Sequence, residues 1–306
     1  MANSSLSLSS LSLGGPRAVA TTAAWQDARS SSSFFHCKSP ASASKFGGSS
    51  LMRSSSSRGI NDAKMNGVKA RQPLRVTAVS AASHREFVLK DFHARRALKI
   101  ISGLQNFNSD SVASVVTAAE KGGATHVDIA CDPELVKLAI SLTRLPVCVS
   151  AVDPEAFLTA VEAGAHMVEI GNYDSFYSTG RTFSSEEVTL AESLEWEGVD
   201  IIQTEGGTSS DPSRPGVHGL IEKAVPTLAA AYSISRAIKI PVMCASGVSI
   251  ITAPMAIAVG AAGVGVGSAV NKLNDQVAMI AEVRSIANAL GLPSHASKTN
   301  LAAAGV

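Results

Sequence analysis

Residues 126–155 read HVDIACDPELVKLAISLTRLPVCVSAVDPE, and this stretch indicates the fold. Two short apolar runs, His126–Ala130 and Val147–Val152, enclose a segment with helical periodicity at 132–144. Each run is followed by Asp-Pro-Glu, which places a capping aspartate before a proline at the first helical position. Strand, cap, helix and strand in this order are typical of βα units in a parallel sheet.

The same alternation extends from about residue 97 to residue 290. The predicted strands are Leu98–Gly103, His126–Ala130, Val147–Val152, Met167–Gly171, Asp200–Glu205, Val242–Ser246 and Val264–Gly267. The predicted helices are 110–122, 132–144, 154–164, 185–197, 219–237, 252–261 and 274–290. These elements make seven βα units, whereas a closed barrel of this class needs eight. The fold class is therefore predicted as α/β, a (β/α)8 TIM barrel that lacks one βα unit.

The missing unit is predicted to lie near residues 184–194. Ser184-Ser185-Glu186-Glu187 opens a helix, but the chain then runs without a break into a helix that ends at Trp196-Glu197-Gly198. A capping start of this kind normally introduces its own helix and strand before another helix ends. A deletion that fused the start of one helix to the end of the next, as in a splice form, explains this. A genuine seven-unit or open sheet is the alternative that periodicity leaves open.

The N-terminal segment, residues 1–80, differs in composition from the remainder. Its first 60 residues contain 19 serines and one acidic residue, and residues 1–80 carry ten Lys or Arg against Asp27 and Asp62. Such a segment cannot bury enough apolar surface to offset its ordering entropy. A basic, serine-rich and acid-poor leader indicates a disordered chloroplast transit peptide, processed near Val76–Ala82. A mitochondrial leader or an ordinary disordered tail is the alternative.

The charge of the remaining chain bears on its partners. Residues 81–306 have a net charge of −7, so no nucleic-acid partner is expected, and no apolar run is long enough for a membrane span. The four cysteines lack metal-ligand spacing, so no metal site is predicted. The barrel domain is assigned to residues 81–293, and a flexible C-terminal tail to residues 294–306.

Two glycine-rich segments near the C-terminus indicate a phosphate site. Cys244–Ser249 and Gly263–Val270 each follow a predicted strand, and they belong to the last two strands of the barrel. In phosphate-binding barrels these two loops hold the phosphate through backbone amides, and glycine permits the close approach. Gly247, Gly267 and Ser268 are the predicted phosphate contacts. Glycines at 263, 265 and 267 alternate along a strand and do not form the dinucleotide-binding turn.

Polar residues on the strands are the candidates for catalysis. Lys99 lies among apolar neighbours and could have a lowered pKa, as a base or Schiff-base amine requires. Asp128 and Glu169 could act as acid and base, or hold Mg²⁺. A purely structural pairing of Lys99 with either carboxylate is equally open. Further candidates are Ser150, Gln203 or Thr204, Glu205 and Ser246 on strands, and Asn172, Asp174, Arg181 and 204–210 in loops.

Several blocks of the chain resemble the family of the hypothetical chloroplast reading frame twenty-three. These blocks include Lys99–Leu104, Gly123–Ala130, Pro146–Ala151, Val168–Tyr177, Asp200–Gly207, Ala224–Tyr232 and Cys244–Val248. The resemblance covers roughly residues 88–290 and implies an aldolase-type barrel in the plastid. Relatives continue through a further helix and strand of about 30 residues near Glu187–Leu194, a size that fits one βα unit. The resemblance brings no established activity or catalytic residue.

Two classes of function follow from these expectations. The first is a lyase, isomerase or synthase in the chloroplast stroma that acts on a small phosphorylated molecule. The second is a non-catalytic metabolite-sensing or partner-binding protein on the same scaffold, since no complete catalytic constellation is present. A defective splice form is a third reading, because a barrel without one unit exposes strand edges. The cofactor is unknown, and assembly with further copies of the chain is left open.

Overall fold

The computed structural model describes residues 5–10, 78–171, 185–205 and 212–293. Its strands are β1 Ser5–Ser10, β2 Ala97–Ile101, β3 His126–Ala130, β4 Val147–Ala151, β5 Met167–Ile170, β6 Ile201–Glu205, β7 Val242–Cys244 and β8 Gly263–Val266. Strands β2 to β8 are parallel, in the order β6, β7, β8, β2, β3, β4, β5. Strand β1 lies antiparallel between β5 and β6 and closes the barrel.

The helices form the outer layer and one end of the barrel. They are α1 Ala78–His93, α2 Ser109–Gly122, α3 Pro133–Leu142, α4 Phe157–Glu162, α5 Ser185–Trp196, α6 Gly216–Ala237, α7 Ala253–Val259, α8 Ser268–Asn271 and α9 Gln276–Ala289. A 3-10 turn, Pro154–Ala156, precedes α4. Among the described helices, none has both the length and the apolar character to cross a membrane.

All seven predicted strands are confirmed, and the parallel β/α barrel lacks one parallel strand. Strand β3 has the predicted bounds, and the other six differ by at most two residues. Strand β7 ends at Cys244 because Ser246 and Gly247 both have positive φ, 68° and 70°, which no strand accommodates. The gap in the parallel series lies between β5 and β6, where the sequence predicted the missing unit.

The predicted helix starts follow from their caps. The Asp132 carboxylate accepts hydrogen bonds from the amides of Glu134 and Leu135 at 2.9 and 3.0 Å, and Pro133 occupies the first helical turn. Removing such a cap costs about 1 kcal/mol in typical helices. Asp153 caps the 3-10 turn before α4 in the same way, through the amide of Glu155.

Two elements of the structure include residues of the predicted leader, 1–80. Strand β1 belongs to that segment, and helix α1 begins at Ala78, before the expected start of the barrel domain at residue 81. No strand or helix was predicted at either place. Strand β1 was not predicted because four of its six residues are serines, so the segment lacks the apolar character of a typical strand.

Helix α1 closes the N-terminal end of the barrel. Val88, Leu89 and Phe92 are buried in a small apolar cluster with strand residues such as Met167 and Ile201. Burying three side chains of this size contributes about 1.5–3 kcal/mol each to stability. The helix is further attached by an ion pair between Arg85 and Asp200. The lumen is therefore covered at this end, and a cavity opens at the opposite end, where the strands terminate at their carboxyl ends.

Candidate functional site

A polar cluster lies in the lumen of the barrel, at the middle of the strands. Lys99 of β2 and Glu169 of β5 form a buried ion pair, and the Gln203 amide donates to the other Glu169 oxygen at 2.9 Å. The Ser150 hydroxyl donates to the Asp128 carboxylate. These five side chains are between 0% and 4% exposed. The strands thus bring together the three residues that the sequence nominated for catalysis.

Burial and mutual charge determine the protonation of this cluster. Burial disfavours the ammonium form of Lys99, but the negative charges of Glu169 and Asp128 and the hydrogen bond to Glu169 outweigh it, so the Lys99 pKa is raised. Burial raises the pKa of Asp128 to about 7, although Lys99 opposes the shift and Glu169 adds to it. Lys99 is therefore a permanently charged ammonium, and Asp128 is the group of the cluster that titrates near neutral pH.

The expected lowering of the Lys99 pKa is wrong. The sequence showed the apolar neighbours along β2 but not the carboxylates that β3 and β5 place beside the ammonium. The structure also decides between Gln203 and Thr204. Gln203 faces the lumen, whereas the Thr204 hydroxyl lies 2.6 Å from that of Thr227 on α6, outside the sheet. Period-two alternation along β6 explains the difference.

Cys148 joins Asp128 and Glu169 in the one group of described residues that could supply three metal-ligand atoms, which lie within 4.8 Å of one another. The Cys148 pKa is raised well above its ordinary value, by burial first, so the thiol is protonated. The Lys99 ammonium occupies the place beside Glu169 that a cation would take. We therefore assign the ammonium as the counter-charge of this cluster.

A cavity of about 460 Å³ opens at the carboxyl ends of the last two strands. Gly247, Gly267 and Ser268, the three predicted phosphate contacts, all line it. Ser246 and Gly265 lie between them, and the end of β2 completes the wall. This volume is within the range of pockets that hold small-molecule ligands. The structure therefore brings the two glycine-rich segments to one site.

Backbone amides are the donors of this cavity. The amides of Gly247, Val248, Ser268 and Ala269 donate to no described residue. The successive positive φ angles of Ser246 and Gly247 turn the backbone sharply after β7, which is strained at a serine. Glycine is required at 247, because a Cβ there would lie 2.5 Å from the Lys223 carbonyl oxygen. Unpaired amides in such a concave turn form an anion-binding surface.

Asn271 and Lys272 also line the cavity, and the sequence did not predict them as site residues. The Asn271 amide nitrogen donates to the carbonyls of Ile101 and Ser102 at 2.9 and 3.1 Å, while its buried carboxamide oxygen has no partner among the described residues. Lys272 is exposed, and among the described residues that line the cavity it is the one with a charge. Their position one helical turn after β8 was the available signal.

The other nominated residues lie in several places. Asn172, Asp174, Arg181 and residues 206–210 of the predicted loop lie outside the described residues, and the side chain of Glu205 is not described. His126 and His166 precede strands, where the sequence predicted a structural role. Burial lowers the pKa of His126 to about 4, and its Nε2 donates to the Val88 carbonyl at 2.9 Å. His126 thus attaches α1 to the barrel as a neutral ring.

The lumen cluster and the cavity are neighbours, but they do not share residues. Lys99, Asp128 and Glu169 do not line the cavity, and Gly265 separates them from it. A Cβ at Gly265 would lie 3.4 Å from the Gln203 side-chain oxygen, so Gln203 lies directly beneath the cavity floor. The geometry thus places amides that donate to no described residue at the cavity, and a charged cluster next to the cavity among residues that do not line it.

Comparison with known sequences gives relatives from plastid-bearing organisms. The "Uncharacterized protein ycf23" of Porphyra purpurea is 34% identical over 233 residues, covering 66% of this chain and 88% of the relative. The protein of the same name from Cyanophora paradoxa is 38% identical over 217 residues, covering 61% of this chain and 89% of the relative.

The alignment lengths also agree with the size of one missing unit. The Porphyra purpurea alignment runs over 233 residues, but 66% of 306 residues is only about 202, so about 30 positions face a gap in this chain, the size of one βα unit. This agrees with the strand missing between β5 and β6.

Two solved structures illustrate the similarity in chain path. The (S)-3-O-geranylgeranylglyceryl phosphate synthase from Thermoplasma acidophilum is 13% identical, with a TM-score of 0.45 over 68% of this chain and 97% of that chain. Thiamine phosphate pyrophosphorylase from Pyrococcus furiosus is 20% identical, with a TM-score of 0.40 over 64% and 97%. The barrel assignment rests on the strand order of this chain itself.

One family model accounts for the chain from α1 to α9. The model described as "Protein of unknown function (DUF561)" matches residues 83–190 and residues 184–295. The match is divided into two segments within α5, the helix at which the sequence placed the deletion. Because the two segments together cover more than half of the chain, and ycf23 relatives share 30% identity or more, the chain belongs to the DUF561 family of ycf23 proteins.

Proposed function

We propose that this chain binds a small phosphorylated molecule in the cavity formed by the loops after β7 and β8. The observation that carries the proposal is that Gly247, Val248, Ser268 and Ala269, whose amides donate to no described residue, line one concave site. Backbone donors in such an arrangement favour an oxyanion. The Lys272 ammonium adds a positive charge at the rim, and no described lining residue is acidic.

The remainder of the ligand is a polar group. The Asn271 carboxamide oxygen is buried and lacks a partner among the described residues, so it would accept a hydrogen bond from a ligand hydroxyl. The cavity volume of about 460 Å³ exceeds what a phosphate ion alone needs. A phosphorylated polyol or sugar therefore fits better than inorganic phosphate.

Binding without turnover is favoured over lyase or isomerase chemistry in the described form. Lys99 is 0% exposed and charged, and the residues nominated as acid and base lie beneath the cavity floor. A Schiff base requires a neutral, accessible amine, and general acid–base catalysis requires contact with the substrate. An enzyme remains the second candidate, because Gln203 connects the floor at Gly265 to Glu169.

We place this function in the plastid, in the stroma. The serine-rich, basic leader and the relatives from plastid-bearing organisms support that location. The barrel domain is taken as residues 81–293, extended at its start by the first residues of α1. A non-nucleic-acid ligand agrees with the net charge of −7 on residues 81–306.

Calorimetric titration of the full chain with glycerol 3-phosphate, inorganic phosphate and glycerol tests the proposal. We expect glycerol 3-phosphate to bind more tightly than phosphate, and glycerol not to bind. Gly267→Asp should abolish binding, because a carboxylate at the cavity repels the phosphate. Lys272→Met should weaken it about threefold to tenfold, as expected for one exposed charge.

Lys239→Met is the matched control for Lys272→Met, since Lys239 is also exposed but precedes β7 at the opposite end of the barrel. The control should bind as the unaltered chain does. Equal binding by the unaltered chain and Gly267→Asp would exclude this cavity as the phosphate site. Turnover that depends on Lys99 would favour the enzyme over the binding protein.

A further inference from the structure

The barrel has one position that its own parallel strands do not fill. Strands β5 and β6 are consecutive along the chain, and β5 pairs with β4 while β6 pairs with β7, so each has a second edge to satisfy. An unpaired strand edge presents backbone donors and acceptors that bind any extended segment of suitable length. The about 30 positions absent relative to the Porphyra purpurea protein match the strand and helix that would fill this position.

Residues 5–10 occupy this position in the structure. Leu8 pairs with Ile170 and Ser10 with Val168 on the β5 side. On the β6 side, Ser5 pairs with Glu205 and Ser9 with Ile201. The strand is therefore hydrogen-bonded on both sides, antiparallel to both neighbours, and completes the closed barrel.

This strand lies at the height of the lumen cluster. Ser9 is in register with Glu169 and Ser7 with Gln203, the two residues that hydrogen-bond to each other beside Lys99. Without a strand at this position, the wall beside the Lys99 ion pair would be open to water. The exposure of Lys99, which is 0%, thus depends on what fills the space between β5 and β6.

We infer that, in the unprocessed chain, the N-terminal segment Ser5–Ser10 acts as an internal substitute for the missing strand and seals the lumen, and that cleavage near Val76–Ala82 removes this strand. The inference does not rest on the proposed phosphate binding in the loops after β7 and β8. It implies that removing residues 1–77 opens the barrel between β5 and β6, and that an extended segment supplied from outside closes it again.

Hydrogen exchange of the full chain tests this inference. Proline has no amide hydrogen and disrupts a strand that is paired on both sides, so Ser7→Pro should release β1. We expect the amides of β5 and β6 to exchange at least about tenfold faster in Ser7→Pro, because their edges lose a partner. The amides of β3, three strands away from β1 in the barrel, should exchange as before.

Ser12→Pro is the matched control, since it places the same substitution in the same leader outside β1. It should leave the exchange of β5 and β6 unchanged. Unchanged exchange of both strands in Ser7→Pro would overturn the inference. If Ser7→Pro fails to fold, hydrogen exchange at Leu6 and Leu8 of the unaltered chain replaces this test. Slow exchange of these two amides would support the strand, and exchange as fast as in an unfolded chain would exclude it.

The source of the strand is tested by sedimentation. A monomer with protected leader amides supports an internal strand. A dimer that Ser7→Pro dissociates would show that a second copy supplies the strand, and would overturn the intramolecular assignment.

Discussion

The lumen of this barrel and the cavity at its carboxyl end are both polar, but they differ in how their polar groups are satisfied. In the lumen, Lys99, Glu169 and Gln203 bind one another and are almost fully buried. At the cavity, several lining residues in the loops after β7 and β8 have amides that donate to no described residue. The polar groups of the lumen are thus satisfied by one another, whereas the cavity amides need a ligand or water as hydrogen-bond acceptor.

This difference separates a structural role from a binding role. Charges that are buried and paired stabilise one conformation, and removing one partner leaves the other uncompensated. Donors that are held in place without acceptors contribute little to folding but provide a preorganised site. Substitutions in the lumen should therefore change mainly stability, and substitutions at the cavity mainly binding.

The largest effect is expected from breaking the lumen pair. Lys99→Met removes the ammonium and leaves the buried Glu169 carboxylate without its counter-charge, so the free energy of unfolding should fall by about 3–5 kcal/mol. Urea denaturation measures this. Adding Glu169→Gln to Lys99→Met should recover much of the loss, because the buried charge is gone. A loss below about 1 kcal/mol in the single variant would contradict a tight pair.

A second effect concerns pH. The pKa of Asp128 rises from 3.8 to about 7 on folding, so the folded chain holds the proton more tightly between these values. The stability that Asp128 contributes is thus present at low pH and is lost as pH rises towards 7. His126, whose pKa is lowered to about 4, changes stability in the opposite direction over the same range, so the measured quantity is the difference between the unaltered chain and Asp128→Asn. In urea denaturation, this difference in the free energy of unfolding should decline on the order of 2–3 kcal/mol from pH 5 to pH 8, and equal slopes in both chains would refute the assignment.

The turn after β7 gives the third effect, at the cavity. Gly247→Ala places a Cβ 2.5 Å from the Lys223 carbonyl oxygen at a φ of 70°, so both a clash and backbone strain result. Gly103→Ala is the control, because its φ of 107° is strained but no atom lies within 4 Å of the new Cβ. We expect Gly247→Ala to lose about 2 kcal/mol more than the control in thermal unfolding. Equal losses would mean that the turn can move.

The smallest effect comes from an exposed ion pair. On α3, the Lys137 Nζ lies 2.7 Å from Oε1 of Glu134, and the two side chains are 60% and 79% exposed. Lys137→Met should change the free energy of unfolding by less than about 0.5 kcal/mol, because water and salt screen the pair. Lys99→Met is the same substitution in the lumen, so the difference between the two losses in the free energy of unfolding measures the effect of burial on an ion pair. A loss comparable to that of Lys99→Met would contradict this comparison.

The sequence predicted much of this architecture because its signals are local. Period-two and helical patterns, Asp-Pro-Glu caps and the count of seven units each depend on neighbouring residues, and they predicted the strands to within two residues. The same local reasoning missed β1, whose pairing depends on edges formed about 160 to 200 residues away. It also missed Asn271 and Lys272, because only packing against the end of β2 brings them to the cavity.

The sequence by itself determined the βα repeat, the place of the missing unit and the two glycine-rich loops, since propensity, capping and backbone freedom are properties of short segments. Only the tertiary structure decided the charge state of Lys99, because its pKa is set by carboxylates from other strands. Only the tertiary structure brought Gly247 and Ser268 to one cavity and paired Ser5–Ser10 with β5 and β6. Contacts between distant segments form when the barrel closes, and no local pattern encodes them.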